Sequence, residues 1–350
     1  MDSRLKPFID KALSRRTFLA GAGSVAAAGL ITGCANDGVT TITPSPTNSY
    51  TDLDILNFAL NLEYLEAQFY LYAATGKGLT AANTAAPSGY TGTYTMGTVT
   101  LGNSAMVAGT TTAQQQIINE IAAEEQEHVQ FLRAALGSAA VPMPSIDLSF
   151  FGPLALALTP AVAGFNPYAS FDAFLIGAFI FEDVGVTAYA GAAPLISAAG
   201  VTSGYLNYAA GILAVEAYHA AYIRTALTGR AISMGATTPT STVYPYVGIA
   251  NQVEALRASL TVGNSGAPGA SNTGNTGAAG SSGSVEVPLN VPQNPTQASA
   301  IVACDSAHAI GFARNVNQVH HIVYGSPTVG VAKGGFFPNG TNSIFSTTTA

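Results

Sequence analysis

The sequence has few charged residues and lacks the common nucleotide-binding and serine-hydrolase motifs. Charged residues make up 9% of the 350 residues and apolar residues 48%, so the chain is able to bury a sizeable core. The formal net charge is −7, and no cluster of Lys and Arg follows the N-terminus, which excludes a nucleic-acid-binding protein. No P-loop, dinucleotide-binding fingerprint or G-x-S-x-G sequence occurs. The chemistry of this protein must therefore come from other residue patterns.

The N-terminus has the layout of a twin-arginine export signal. Arg15 and Arg16 precede an apolar run from Ala20 to Ile31, whereas a soluble N-terminal helix is the alternative interpretation. The sequence Leu30 to Cys34 is typical of a bacterial lipoprotein signal, in which the cysteine is lipidated and becomes the first residue; ordinary signal-peptidase cleavage nearby is the alternative. We therefore expect an exported protein, periplasmic or associated with the outer membrane, that contacts the membrane only through a lipid on Cys34.

Cysteine is too scarce to support a disulfide framework. The chain contains only Cys34 and Cys304, and lipidation of the first leaves a single thiol. The stability of the fold must then come from packing. Cys304 and His308 are spaced i, i+4 and could bind a metal, but packing within a helix is the expected role of this pair.

Apolar periodicity predicts four main helices, separated into two pairs by a proline-rich connection. They cover residues 51–74, 112–136, 170–190 and 203–227, the last ending before Gly229. Two helices, a long crossover and two more helices predict an all-α four-helix bundle. The C-terminal extension is expected to add shorter helices over 247–260 and 297–323.

The remaining segments are expected to be signals, tethers and loops. An export signal over 1–33 and a Thr/Ser/Pro-rich tether over 34–50 precede the bundle at 51–230, and the extension covers 231–350. Within the bundle, residues 76–111 form a Gly/Thr-rich insert in which 93–100 has the pattern of a short hairpin. The Gly/Ser-rich stretch 263–284 is expected to be a flexible linker or surface loop.

Two of the predicted helices carry a Glu-x-x-His pair on an apolar face. Glu125 and His128 interrupt one apolar stripe, and Glu216 and His219 interrupt another at the same spacing, which indicates an internal duplication. A single pair of this kind is usually a solvated surface feature, but two copies on core-directed faces favour a site. Glu120, Glu124 and Glu127, in contrast, fall on the outer face of their helix and are expected to be solvated.

The other two helices form a second matched pair. Glu63 is followed seven residues later by Tyr70, and Glu182 is followed at the same interval by Tyr189. The tyrosines are expected either to pack in the core or to hydrogen-bond a ligand carboxylate. Glu66 also lies on an apolar stripe, and Glu63 is preferred over it because of Tyr70. Asp183 adjoins Glu182 but points about 100° away, which favours either a role beside the metal ligands or an interhelical role over metal ligation.

Four glutamates and two histidines directed into an apolar bundle need compensation. Buried ionised carboxylates without partners cost several kcal/mol each, and two divalent cations would supply +4 against −4. A donor set of oxygen and nitrogen suits iron or manganese better than metals that prefer thiolates. The spacing i, i+3 of Glu-x-x-His points both side chains at one centre. We therefore predict two divalent metal ions, Fe or Mn.

These residues resemble the ferritin-like di-iron carboxylate superfamily. The segments 56–66 and 334–338 are similar to its bacterial branch that contains plant desiccation-related proteins. The resemblance covers about residues 51–340 and implies a ferritin-like bundle with metal ligands at the following positions. They are Glu63, Glu125, His128, Glu182, Glu216 and His219.

Three functions follow as alternatives. The preferred one is a redox or metal-handling role in envelope stress protection, in which the metal centre reacts with oxygen or peroxide. The second is a protein that binds metal without turnover, and the third is a structural protein associated with desiccation stress. A storage cage is not expected, because cage subunits are compact single bundles and this chain adds an anchor, an insert and a long extension.

Overall fold

The computed structural model describes residues 50–102, 105–261, 285–294, 296–305 and 309–348. The predicted export signal, Cys34, nearly all of the tether, His308 and the whole stretch 263–284 lie outside the described residues. The described part is predominantly helical, which confirms the all-α fold class.

Within the described residues, six helices of eight or more residues organise the fold, and we number them α1 to α6. They are α1 Asp52–Thr75, α2 Thr112–Leu136, α3 Phe171–Ala192, α4 Tyr205–Ser233, α5 Tyr246–Thr261 and α6 Val316–Val323. Short helices cover Ala81–Thr84, Phe151–Leu156 and Ala198–Thr202, and 3₁₀ turns cover Gly137–Ala139, Leu148–Phe150 and Ala193–Leu195. Helices α1 to α4 are the four predicted for the bundle.

Local capping explains where the bundle helices begin and end. Thr51 and Thr111 each form a capping box with the residue three positions later, and these boxes start α1 and α2. The side chain of Ser170 accepts a hydrogen bond from the N–H of Ala173 and starts α3. Gly76 ends α1 in the left-handed conformation that glycine adopts without strain.

The bundle consists of two helix pairs. Helix α1 packs mainly against α2, and α3 packs mainly against α4, while α1 and α3 contact each other between the pairs. The segment Phe171–Leu195, which includes α3, is long and apolar enough to cross a membrane, yet 89% of its most apolar window is buried inside the protein. Because its apolar surface is covered by the other helices, we interpret α3 as the core helix of the bundle.

The insert pairs with the crossover instead of forming the predicted hairpin within itself. Strand β1, Val99–Thr100, pairs in parallel with β2, Ile146–Asp147, which belongs to the crossover. The prediction of a hairpin within 93–100 is therefore wrong, because this segment finds its partner in a distant part of the chain. Asn57 of α1 holds the crossover in place, since its side chain accepts from the N–H of Val141 and donates to the carbonyl of Ala139, both at 3.0 Å.

The C-terminal extension packs on the bundle mostly as irregular chain. The predicted helix over 297–323 is wrong for its first part, because helix α6 begins only after the capping box of Asn315. Ala300 and Ala309 have positive φ values, and Cys304 pairs with Gly311 in an isolated bridge, so this segment cannot be helical. The tail then returns to α1, where Asn342 exchanges two hydrogen bonds with Asn61 at 2.8 and 3.1 Å.

Candidate metal centre

The six predicted ligand residues lie together in the core of the bundle. Each of the four helices contributes one glutamate, and α2 and α4 each add a histidine from the next turn. All six side chains are buried, and the most exposed residue of the set is His128 at 8%. They are Glu63 of α1, Glu125 and His128 of α2, Glu182 of α3, and Glu216 and His219 of α4.

One group of donor atoms surrounds His128. Its Nδ1 lies 3.2 Å from Glu63 Oε2, 3.5 Å from Glu125 Oε2 and 3.7 Å from Glu216 Oε1. One donor atom from each of these four residues lies within 4.8 Å of all the others, which is the spacing that a single bound metal ion requires. Three helices thus supply three carboxylates and one imidazole that could hold one metal ion.

The second group surrounds His219 and shares one residue with the first. His219 Nδ1 lies 3.2 Å from Glu125 Oε1 and 3.3 Å from Glu182 Oε2. Glu125 therefore directs one oxygen at each group, which is the arrangement of a carboxylate that bridges two metal ions.

The donor atoms that face the two groups make no hydrogen bonds in the described part of the chain. Buried polar groups are nearly always hydrogen-bonded, so eight clustered atoms without a hydrogen bond are exceptional, even though the imidazoles form ion pairs with the carboxylates around them. Two cations would satisfy all of them, and the mixed oxygen and nitrogen donors fit iron or manganese. The eight are Glu63 Oε2, Glu182 Oε2, both oxygens of Glu125 and of Glu216, and Nδ1 of His128 and of His219.

The two tyrosines bind carboxylates across the bundle rather than on their own helices. Tyr70 of α1 donates a hydrogen bond to Glu182 Oε1 of α3, and Tyr189 of α3 donates one to Glu63 Oε1 of α1. Burial and then the adjacent carboxylates raise the pKa of both tyrosines well above 10, so both remain donors. Each bond orients a carboxylate so that its other oxygen, Oε2, faces the candidate centre.

Glu124 does not behave as a fully solvated surface residue, contrary to the prediction. Its side chain is 40% exposed, and its Oε2 lies 2.7 Å from Nε2 of His219. A carboxylate in this position fixes the tautomer that leaves Nδ1 free for a metal. No spacing within α2 signals this role, because the partner lies on α4. The corresponding residue of the other repeat is Val215, which has no group able to accept a hydrogen bond.

Glu66 is buried at the same centre as Glu63, so both candidates of α1 contribute a carboxyl group there. Glu63 lies in the group around His128, whereas Glu66 belongs to neither group. Burial, followed by the charges of Glu125, Glu63 and Glu182, raises the pKa of Glu66 well above 4.5. The centre therefore contains five fully buried carboxyl groups rather than the predicted four.

The buried charges change the protonation of the site in the metal-free protein. Burial by itself lowers the pKa of His128 and of His219, but the adjacent carboxylates raise them to about 11 and about 12. Burial opposes ionisation of Glu125, yet the two imidazoles lower its pKa to about 2. Burial and then the charge of Glu66 raise the pKa of Glu216 well above 4.5. Without metal, the protein thus stores protons at the candidate centre.

A second buried cluster of charges is an ion-pair network, not an open metal site. Three acidic and three basic residues alternate in it, namely Asp183, Glu254 and Glu286 with Arg224, Arg257 and Arg314. Arg257 alone donates to Asp183 at 3.0 Å and to Glu286 at 2.7 and 2.9 Å. Asp183 thus has the expected interhelical role, and the network ties α5 and the extension to α3 and α4.

Comparison with known proteins relates this chain to ferritin-like proteins. The sequence profile described as "Ferritin-like domain" matches residues 51–229. "Ferritin-like catalase Nec2" of Nesocodon mauritianus is 26% identical over 294 residues, which cover 83% of each chain. "Desiccation-related protein PCC13-62" of Craterostigma plantagineum is 31% identical over 186 residues, covering 52% of this chain and 54% of the relative. No solved structure matches the chain significantly.

Proposed function

Because the chain belongs to the ferritin-like domain family, we propose that its buried glutamates and histidines hold two metal ions, iron or manganese, that react with oxygen or peroxide. The observation that supports this proposal most strongly is the cluster of eight buried donor atoms without hydrogen bonds, with Glu125 shared between the two groups. A relative named as a ferritin-like catalase supports peroxide as the substrate.

The protein residues supply geometry, charge and a dry environment for this chemistry. When bound, the metal pair supplies one-electron and two-electron redox steps. Glu125 would be shared by the two ions, and Tyr70 and Tyr189 orient the carboxylates of Glu182 and Glu63. Glu124 holds the proton on Nε2 of His219, which keeps Nδ1 available as a donor. Burial excludes bulk water from the centre and strengthens each of these interactions.

We further propose that the protein works outside the cytoplasm, anchored by a lipid on Cys34, where it protects the cell envelope against oxidative or drying stress. The twin arginines and the sequence around Cys34 support export. A relative named as a desiccation-related protein supports a role in drying stress.

A second candidate is a protein that binds metal without turnover or uses it only for stability. The deep burial of all six ligand residues favours this alternative, because a fully closed centre cannot admit a substrate. The same ligand set serves both candidates, so only reactivity distinguishes them.

The test measures metal content and peroxide consumption of protein produced with ample iron and manganese. We expect about two ions per chain in the wild type and well below one in a His128→Ala, His219→Ala double variant. Glu127→Gln, an exposed change on the same helix as His128, is the control and should keep the wild-type content. Stoichiometric metal without reaction with peroxide or oxygen would favour the second candidate, and the absence of metal would refute both.

A further inference from the structure

Glu66 breaks the symmetry of the two halves of the bundle. In the repeat that relates α1 to α3, Glu63 corresponds to Glu182 and Glu66 corresponds to Gly185. One half thus adds a fifth carboxylate at the position where the other half has no side chain. The centre is therefore asymmetric. Glu66, the additional carboxyl group, is not one of the six predicted ligands.

Two carboxylates lie against the backbone of Gly185 on this side. A Cβ atom at this position would lie 2.3 Å from Glu216 Oε2 and 3.3 Å from Glu66 Oε1. Any larger residue here would therefore displace the carboxylate of Glu216. Glycine therefore leaves the carboxylates of Glu66 and Glu216 uncovered by α3.

A small cavity adjoins Glu66 and Gly185, and we call it the Glu66 chamber. Its other walls are apolar, and among the described residues Glu66 is its only charged lining group. Leu62 and Val184 come from the bundle, whereas Val323 and Phe336 come from the C-terminal extension. The chamber has room for about one water-sized molecule. The extension thus encloses a cavity that the four bundle helices alone leave open.

The lining of the Glu66 chamber selects for small uncharged molecules. An ion would lose its hydration shell against apolar walls, and a polar neutral molecule is tolerated there only if it finds a hydrogen-bond partner. A carboxyl oxygen of Glu66 can accept a hydrogen bond, which hydrogen peroxide can donate and dioxygen cannot. We propose that the Glu66 chamber binds hydrogen peroxide beside the metal centre, with Glu66 as its hydrogen-bond acceptor. This proposal rests on the proposed function, because it assigns a binding position to the peroxide that would react at the metals.

The first test asks whether the chamber accepts a small apolar probe, and it does not depend on metal. Crystals of the protein as purified, pressurised with xenon, should show one xenon atom between Leu62, Val184 and Val323. A Val184→Ile, Val323→Leu double variant should lose this xenon because the added methylene groups fill the space. Val319→Leu is the matched control, since Val319 is buried on α6, the helix of Val323, but does not line the chamber. A wild-type chamber that holds neither xenon nor an ordered solvent molecule would overturn the proposal.

The second test measures the second-order rate constant for peroxide consumption at equal metal content. The filled variant should be slower by about tenfold or more, because its substrate can no longer be held near the metals, while Val319→Leu should be unchanged. Glu66→Leu should be slowed as well but retain xenon and metal. A filled variant as fast as the wild type would overturn the proposal, and loss of metal in Glu66→Leu would contradict it by making Glu66 a ligand. A wild type without metal or peroxide reactivity would refute the proposed function itself, whatever the xenon result, and would reduce the chamber to a packing cavity.

Discussion

Metal binding should release protons from the two histidines of the candidate centre. In the metal-free protein the surrounding carboxylates outweigh burial and raise the pKa of His128 to about 11 and that of His219 to about 12. Both imidazoles are therefore protonated at pH 7, and a protonated imidazole has no lone pair to offer a metal. Loading both sites must then release about two protons per chain. The raised pKa values of Glu66 and Glu216 add to this number.

The magnitude of the effect follows from linkage between protons and metal. Each released proton changes the metal-binding free energy by about 1.4 kcal/mol per pH unit, so two protons change the product of the two binding constants about 100-fold per unit. Affinity should rise with pH, because fewer protons compete with the metals. This dependence should extend from near pH 7 up toward the raised histidine pKa values.

The metal-free protein should show the opposite dependence of its stability on pH. The raised pKa values of His128 and His219 stabilise the fold fully below the unfolded value of about 6.5, and this contribution is lost as the pH rises through about 11 to 12. The raised pKa values of Glu66 and Glu216 destabilise the fold once the pH exceeds about 4.5. Chelated protein should therefore lose stability as the pH increases.

Isothermal titration calorimetry with Mn²⁺ in two buffers of different ionisation enthalpy counts the released protons. The wild type should release about two or more at pH 7, and His128→Ala should release about one fewer. Two bound ions without proton release would refute the reasoning, because the histidines would then be neutral in the metal-free protein or would not bind metal.

Three further changes test separate parts of the account. Arg257→Met should lower the free energy of unfolding, measured in urea, by about 3–5 kcal/mol, because the buried acids lose their partner. Lys77→Met, a change at an exposed position, should have little effect. Equal stabilities of the two variants would contradict the role of the buried network. Tyr70→Phe should weaken metal binding by about 10–100-fold, since Glu182 loses the hydrogen bond that orients it, and unchanged affinity would remove that role. Cys34→Ala should release the protein from membranes in a detergent-partition assay, and a wild type that is already soluble would exclude the anchor.

The four-helix bundle could be predicted from local periodicity. The same periodicity predicted that the six candidate ligand residues face the core together. Glu125 and His128 share one face of a helix by their spacing alone, and an apolar stripe around them indicates the direction of that face. Helix ends were less predictable where packing overrides propensity. Gly229 was expected to end α4, yet the helix continues to Ser233. The fully buried Ala231 packs in the core and offsets the cost of about 1 kcal/mol for an interior glycine.

Contacts between helices could not be predicted from spacing within one helix. The crossed bonds of Tyr70 and Tyr189 depend on how α1 and α3 are aligned, and the contact of Glu124 with His219 depends on how α2 and α4 meet. The parallel pairing of β1 with β2 joins residues far apart in the chain. The path of the extension was unpredictable for the same reason, since its irregular backbone is stabilised by partners in the bundle, such as Asn61.

The most direct test of the two-metal centre is anomalous diffraction from crystals of protein produced with ample iron and manganese. We expect two anomalous peaks per chain, about 3.5–4 Å apart, with one oxygen of Glu125 bound to each ion. His128 Nδ1 should bind one ion and His219 Nδ1 the other. Crystals with no anomalous peak among these residues, or with a single ion that leaves one histidine hydrogen-bonded only to carboxylates, would contradict it.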